Sequence, residues 1–393
     1  MRPLAKVKNL QHLHVEDYNW ASGEGNNNVV RSILLNSRST LRSLSMQTSS
    51  YATCFLEDWE EMISASKSSQ PHALTALKSF TLSGVGFDQG DFLKSLQRAI
   101  DFTSLQELRL GSLSQYNHHL FQYLASLASS AQGKPISLRT LSVDMSHDRY
   151  GGAPEQKQLG YDAKSAFISS FNTLSTLQIV DYNQYPHEQR FNPGLADTML
   201  KAILKHENLK VLRISYTGII GDCKIPYLSA KTVAAIVNNL PHLEEFEFAP
   251  DEIEIDQIGA ALAGSPNLTS VTCWPHGSFA RVGQLQEDIP GTNILRGVLQ
   301  GFMSRVSCSN GSEFVWEQHY KLRQVSVSYR AWIVASKFGK LEKGMRREET
   351  MESGGGDGRK VLYRDITGTF PRVTHVGYDP RFEWVEKVSK DMD

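Results

Sequence analysis

Leu105-Gln106-Glu107-Leu108-Arg109-Leu110 is one of eleven stretches in which an apolar residue is followed by two others, a second apolar residue, one more, and a third. The others begin at Leu10, Leu41, Leu77, Leu138, Leu174, Leu209, Leu243, Leu268, Leu322 and Val373, with Phe, Val, Ile, Met, Cys or Tyr replacing leucine in places. From Leu10 to Leu268 the starts are 25 to 36 residues apart, and the last two intervals are 54 and 51. Recurrence of one short pattern at a near-fixed period is the signature of a repeat array, in which each unit buries its apolar face only by stacking on its neighbours. The pattern itself reads as a short strand with alternating faces.

Working outward from the motif, each interval leaves room for one helix. Phe92, Leu93, Leu96, Ala99 and Ile100 follow helical spacing, as do Leu120, Phe121, Leu124 and Leu127, and Val233, Ile236, Val237 and Leu240. Ser229 and Asp256 stand where N-caps are expected. The expected fold is therefore α/β: a curved leucine-rich solenoid with a parallel strand ladder on its concave face and helices on its convex face. Eleven strands at about 4.8 Å give a ladder on the order of 50 Å long.

Three segments follow from this reading. Residues 1–338 are expected to form the solenoid, with a long helix over 293–306 and an aromatic segment at 314–320 that hides one more degenerate repeat. Residues 339–360, charged and glycine-rich, have almost nothing to bury and are expected to be a disordered loop. Residues 361–393 return to strand-like, aromatic composition and are expected to supply a degenerate last repeat and a C-terminal cap. The first motif begins at residue 10, so its leucines need cover from residues 1–9, from further chain, or from a partner.

Composition narrows the classes of function. Hydrophobic residues are 40% and charged residues 21% of 393, ample for a continuous core, and the formal net charge of -1 argues against a nucleic-acid partner. No apolar run approaches the roughly 20 residues of a membrane span, and no signal-peptide pattern opens the sequence, so neither a membrane nor a secretory route is expected. Cys54, Cys223, Cys273 and Cys308 are scattered, which points to buried free thiols in a reducing cytoplasmic or nuclear compartment. The sequons at Asn267 and Asn310 read there as chance matches.

Catalytic and cofactor signatures are weak. His12 with His14, and His118 with His119, lack Cys or carboxylate partners at metal-ligand spacing, and residues 354–360 lack the Ser or Thr and the preceding strand of a phosphate loop. The chain is accordingly expected to be a binding protein, with no catalytic residue, cofactor or metal. Two groups of residues are candidates for contact with a protein partner. The central strand column runs His14, Ser45, Thr81, Arg109, Ser142, Gln178, Arg213, Glu247, Thr272, Ser326 and Gly377, of which His14, Arg109, Gln178, Arg213 and Glu247 carry the strongest polar groups, although a plain solvated sheet face accounts for the column as well. The loops beyond the strands carry Tyr18, Trp20, Tyr182, Tyr216 and Trp274 among other aromatics, residue types enriched at interface hot spots, although packing over the core ends accounts for them equally. The long intervals 144–161, 181–195 and 275–293 lie on that same edge. Glu252, Glu254 and Asp256 are read as favourable charge at a helix N-terminus.

With full outer helices, the repeats from Leu10 to about Tyr378 resemble the leucine-rich-repeat superfamily of the ribonuclease-inhibitor-like kind. Their irregular period and long loops look like the substrate-binding region of fungal F-box proteins. That resemblance implies a protein-interaction scaffold, the substrate receptor of an SCF ubiquitin ligase subunit, joined to a Skp adaptor and cullin through an F-box that this sequence does not show ahead of Leu10. The asparagine such repeats carry after the motif is matched only near Asn19 and Asn183. Two alternatives stay open: a direct regulator of an enzyme, as ribonuclease-inhibitor-like and GTPase-activating leucine-rich proteins are, and a hydrolase in residues 293–393.

Overall fold

A computed structural model describes residues 6–17, 24–48, 74–84, 90–111, 117–129, 135–145, 154–180, 195–215, 227–274, 289–304, 314–315, 320–327, 330–334, 339–340, 368–370 and 373–378. In chain order these form β1 (His12–Asp17), α1 (Glu24–Ser37), β2 (Ser43–Thr48), β3 (Ser79–Ser83), α2 (Gly90–Ala99), β4 (Glu107–Gly111), α3 (His118–Ser129), β5 (Thr140–Asp144), α4 (Pro154–Ser169), β6 (Thr176–Val180), α5 (Asp197–Leu204) and β7 (Val211–Ser215). There follow α6 (Ala230–Asn239), β8 (Glu245–Phe248), α7 (Ile255–Leu262), β9 (Ser270–Cys273), α8 (Ile289–Ser304), β10 (Phe314–Val315), β11 (Gln324–Val327), β12 (Arg330–Val334), β13 (Gly339–Lys340), β14 (Gly368–Phe370) and β15 (Val373–Tyr378).

The protein is α/β. Its main sheet has the order β1-β2-β3-β4-β5-β6-β7-β8-β9-β11-β12-β15, ten strands of which, β1 to β9 and β11, run parallel with helices alongside and without closing into a barrel. Only β12 is reversed in it: β12 runs antiparallel to both its neighbours, β11 and β15, so β15 points the same way as β11. The eleventh motif, Val373-Thr-His-Val376-Gly-Tyr378, therefore keeps the direction of a last repeat but does not stack on a parallel neighbour as expected; β12 intervenes, and β15 pairs antiparallel with it. Nor does the aromatic segment at 314–320 add a rung, because β10 belongs to a separate three-stranded sheet of order β10-β14-β13. The first two residues of the loop expected at 339–360 form β13, and the rest of it lies outside the described residues.

Hydrogen bonding explains why the motif is Leu-x-x-Leu-x-Leu and not a strict alternation. At the start of β2 the N–H groups of both Arg42 and Ser43 donate to the Gln11 carbonyl, at 2.8 and 3.0 Å. The same sharing recurs down the ladder: Lys78 and Ser79 on Arg42, Gln106 and Glu107 on Lys78, Arg139 and Thr140 on Gln106, Ser175 and Thr176 on Arg139, and Lys210 and Val211 on Ser175. Two donors on one acceptor absorb an extra residue, as at a β-bulge. The first leucine and the second, three positions later, then both reach the core, and the residue after the first is turned out at the strand start.

The chain divides into two compact units, residues 1–227 with 247–249, and residues 228–246 with 250–393. In the first unit the core is three columns: Leu41, Leu77, Leu105, Leu138, Leu174 and Leu209; Leu44, Phe80, Leu108, Leu141, Leu177 and Leu212; and Met46, Leu82, Leu110, Val143, Ile179 and Ile214, all buried. Each such side chain contributes about 1.5–3 kcal/mol by leaving water. Their counterparts in the first repeat, Leu10, Leu13 and Val15, are only half-buried. The expected helical residues close the core from the other side, with Leu96, Ala99, Leu120, Phe121 and Leu124 buried.

In the second unit α6 buries Val233, Ile236 and Val237 as its spacing requires. Ser229 caps it, its Oγ accepting from the Thr232 N–H at 3.3 Å. The expectation that Asp256 caps α7 is corrected: the helix begins at Ile255, so Asp256 lies in its first turn, while Asp251 caps the short 3-10 turn Glu252–Glu254 before it. The Glu254 carboxylate reaches the neighbouring helix, where its Oε2 accepts from the Ala230 N–H at 2.7 Å. A carboxylate there satisfies one of the free donors at the N-terminus of α6 and opposes the helix dipole.

Candidate functional site

The strand register sets the candidate column. His14 pairs across the ladder with Ser45, Ser45 with Thr81, Thr81 with Arg109, Arg109 with Ser142, Ser142 with Gln178, and Gln178 with Arg213. Seven side chains from β1 to β7 thus lie in one row on the face opposite the leucine columns. A second row, His12, Ser43, Ser79, Glu107, Thr140, Thr176 and Val211, runs beside it two residues earlier in each strand. Reading only the central column misses this row, although the period-2 alternation that places Arg109 on the face places Glu107 there too.

Charge on the face is internally matched. Arg109 Nε donates to Glu107 Oε1 at 2.6 Å, and Ser79 Oγ donates to Glu107 Oε2 at 3.0 Å, so one carboxylate ties β3 to β4 and aims the guanidinium. Arg213 Nε stands 3.9 Å from Glu247 Oε2, and His14 Nε2 stands 3.8 Å from Glu16 Oε2. The side chain of Arg109 is 54% exposed and that of Arg213 30%, against 8% for Glu247. The face presents two guanidinium groups with the hydroxyls and amide of Ser142, Thr140, Thr176 and Gln178 between them.

In the second unit the same motif position is enclosed: Thr272 and Ser326, which pair across the ladder, are 3% and 0% exposed. Trp274, placed by its sequence position at a loop edge, is 3% exposed and packs as core. Tyr18, Trp20, Tyr182 and Tyr216 lie outside the described residues. Cys273 is a buried free thiol whose pKa burial pushes up to about 12, so it is held as the neutral SH. The amide of Asn267 donates to the Pro241 carbonyl at 2.8 Å and accepts from Lys321 Nζ at 2.7 Å, which engages both ends of the side chain that its sequon would offer.

Two buried titratable groups under the first unit's sheet have no signal in the motif. Lys164 of α4 is 1% exposed; its Nζ donates to the Asp144 carbonyl at 2.8 Å and sits 5.6 Å from the centre of the Phe121 ring. Burial lowers its pKa to about 8, against an opposing pull from Asp144. His206 is fully enclosed, edge-on to Phe171, and its Nε2 lies 3.0 Å from the Ile168 carbonyl. Because a carbonyl only accepts, the neutral ring carries its proton on Nε2. Burial lowers its pKa to about 4. Lys164 ties α4 to the end of β5 and His206 holds its last turn, and among the described residues no group of three His, Cys, Asp or Glu converges as a metal site would require.

No protein-family model matches this chain, and no curated protein matches its sequence. Among the described residues no helix is long and apolar enough to cross a membrane.

Proposed function

We propose that this chain is a protein-interaction scaffold of the leucine-rich-repeat kind, ribonuclease-inhibitor-like in its repeats, and that the exposed face of β1 to β7 is its binding surface. The observation that carries this reading is the in-register polar row from His14 to Arg213, flanked by the Glu107–Arg109 and Arg213–Glu247 pairs. Seven strands at about 4.8 Å extend that row over roughly 29 Å, longer than a metabolite and matched to a polypeptide. The pairs give the face fixed donors and acceptors, which supply specificity more than raw affinity.

Within that reading, the chain serves as the substrate-receptor region of an F-box-type ubiquitin ligase subunit, with the Skp adaptor and cullin engaged through a segment outside this sequence. The support is the resemblance of the repeats. Both parts have their own experiment. A photo-crosslinking residue introduced at Ser142 of the full chain is expected to capture a polypeptide, and Arg109→Glu is expected to reduce the yield; absence of any crosslinked polypeptide rejects the face as a binding surface. Co-purification with the Skp adaptor is expected for the native protein. No adaptor with either this chain or a longer native form rejects the ligase part and leaves the scaffold part standing.

A further inference from the structure

We propose that the strand-start edge of the first unit is a second docking surface, taking an extended acidic polypeptide segment. The inference is independent of the sheet-face reading, because the residues differ and the side chains turn a different way. Parallel strands all begin on one edge, and the turns that enter β1 to β7 are residues 6–11, 38–42, 74–78, 100–106, 135–139, 170–175 and 205–210. Together they carry eight Lys or Arg (Lys6, Lys8, Arg38, Arg42, Lys78, Arg139, Lys205 and Lys210) against two acids, Asp101 and Glu207. Six positive charges in excess stand on one edge of a chain whose net charge is -1. All eight cations are exposed.

Four of them form a line. The shared-carbonyl arrangement turns out the residue after the first leucine of each repeat, and that position is Gln11, Arg42, Lys78, Gln106, Arg139, Ser175 and Lys210 in successive strands. Arg42 and Lys78 are on neighbouring strands, Arg139 is two strands further and Lys210 two more, so the cations are spaced at about 5, 10 and 10 Å. An extended chain advances about 3.3 Å per residue, so acidic residues at every third position meet the two intervals of about 10 Å, from Lys78 to Arg139 and from Arg139 to Lys210. Some of this charge answers the helix C-termini on the same edge: Lys205 Nζ reaches the Ser169 carbonyl at the end of α4, at 2.7 Å. Lys78 Nζ reaches the Ser104 carbonyl at 3.3 Å. Arg42 and Arg139 have no ion-pair partner among the described residues.

Single-stranded nucleic acid is the less suited polyanion. Such strands are held by stacking bases on exposed aromatic rings beside the cations. The only aromatics in these turns besides the buried His206 are Phe102, which is buried, and Phe171, whose ring packs on Phe167 and His206. Among the described residues the edge thus offers charge without a stacking platform, which fits carboxylates on a flexible chain.

The test uses the full chain and a fluorescent peptide of about ten residues with glutamate at every third position, followed by anisotropy at low salt. Saturable binding is expected, weakened about tenfold or more by the pair Arg42→Glu and Arg139→Glu, and weakened less by Arg42→Gln with Arg139→Gln. Lys201→Glu on α5 reverses a single charge away from this edge and is expected to leave binding unchanged, with circular dichroism verifying that each variant folds. Absence of peptide binding, equal binding by the Arg42→Glu, Arg139→Glu pair, or an equal loss in Lys201→Glu overturns the proposal. Tighter binding of oligo-dT, or of phosphatidylserine vesicles, that the same pair abolishes also overturns it, in favour of a nucleic acid or a membrane.

Discussion

At the scale of single residues, the two buried bases each tie stability to pH, in different windows. His206 has its folded pKa near 4, below the ordinary 6.5, so above pH 6.5 both states are neutral and nothing is lost. As pH falls from 6.5 toward 4, the unfolded chain takes up a proton that the folded ring refuses, and stability declines by roughly 3 kcal/mol. Urea unfolding at pH 7 and pH 4.5 checks this: the native chain is expected to lose more stability over that interval than His206→Phe, which cannot titrate. Lys164 works in the alkaline window. Its folded pKa of about 8 lies below the usual 10.5, so below pH 8 both states are charged and the folded one bears the cost of burying the ammonium. Between pH 8 and 10.5 the unfolded chain still holds a proton that the folded chain has released, and stability rises with pH by roughly 3 kcal/mol. Compared with Lys164→Met, the native chain should gain stability over that range; parallel curves for the two would mean that the ammonium is already solvated in the fold.

At the scale of elements, α7 and α8 pack through glycine. A Cβ on Gly259 would strike the Val298 carbonyl oxygen, and one on Gly301 would strike the Ala260 nitrogen and the Asp256 carbonyl oxygen. These obstacles are backbone, which cannot swing aside as a flexible side chain would. Alanine is the better helix former by about 1 kcal/mol, so propensity alone predicts that Gly301→Ala stabilises. Overpacking is expected to win, and thermal unfolding should report a net loss of roughly 2 kcal/mol. The same contrast shows what could be read in advance. Strands and outer helices were legible because Leu-x-x-Leu-x-Leu and the spacing of Leu96, Leu120 or Val233 state locally which face meets the core. The α7–α8 contact was not, since Gly259, Gly297 and Gly301 acquire meaning only when two helices some forty residues apart in sequence approach. The insertion of β12 between β11 and β15 was not legible either: Arg330–Val334 lacks the motif, and an alternation pattern does not state which strand lies beside it. For the face, the column through Arg109 and Arg213 followed from register alone, whereas the burial of Trp274 depends on what surrounds it.

At the scale of the whole molecule, one motif position plays opposite parts in the two units. Ser142, in the first, is half-buried on the polar face, and Ser326, at the equivalent place in the second, is fully enclosed. A repeat array judged from its motif would treat these serines alike, because the residues on either side are equivalent: Leu141 and Val143 around one, Val325 and Val327 around the other, all buried. The energetics differ because a charge on a solvated face keeps its water, while an enclosed carboxylate must be desolvated. Ser142→Glu is therefore expected to shift stability by no more than about 0.5 kcal/mol, and Ser326→Glu to cost several kcal/mol. Chemical unfolding of the two variants beside the native chain separates them. Equal losses would mean that the face of the first unit is as closed as that of the second, and the binding surface assigned to β1 to β7 would then have no water to displace and no room for a partner.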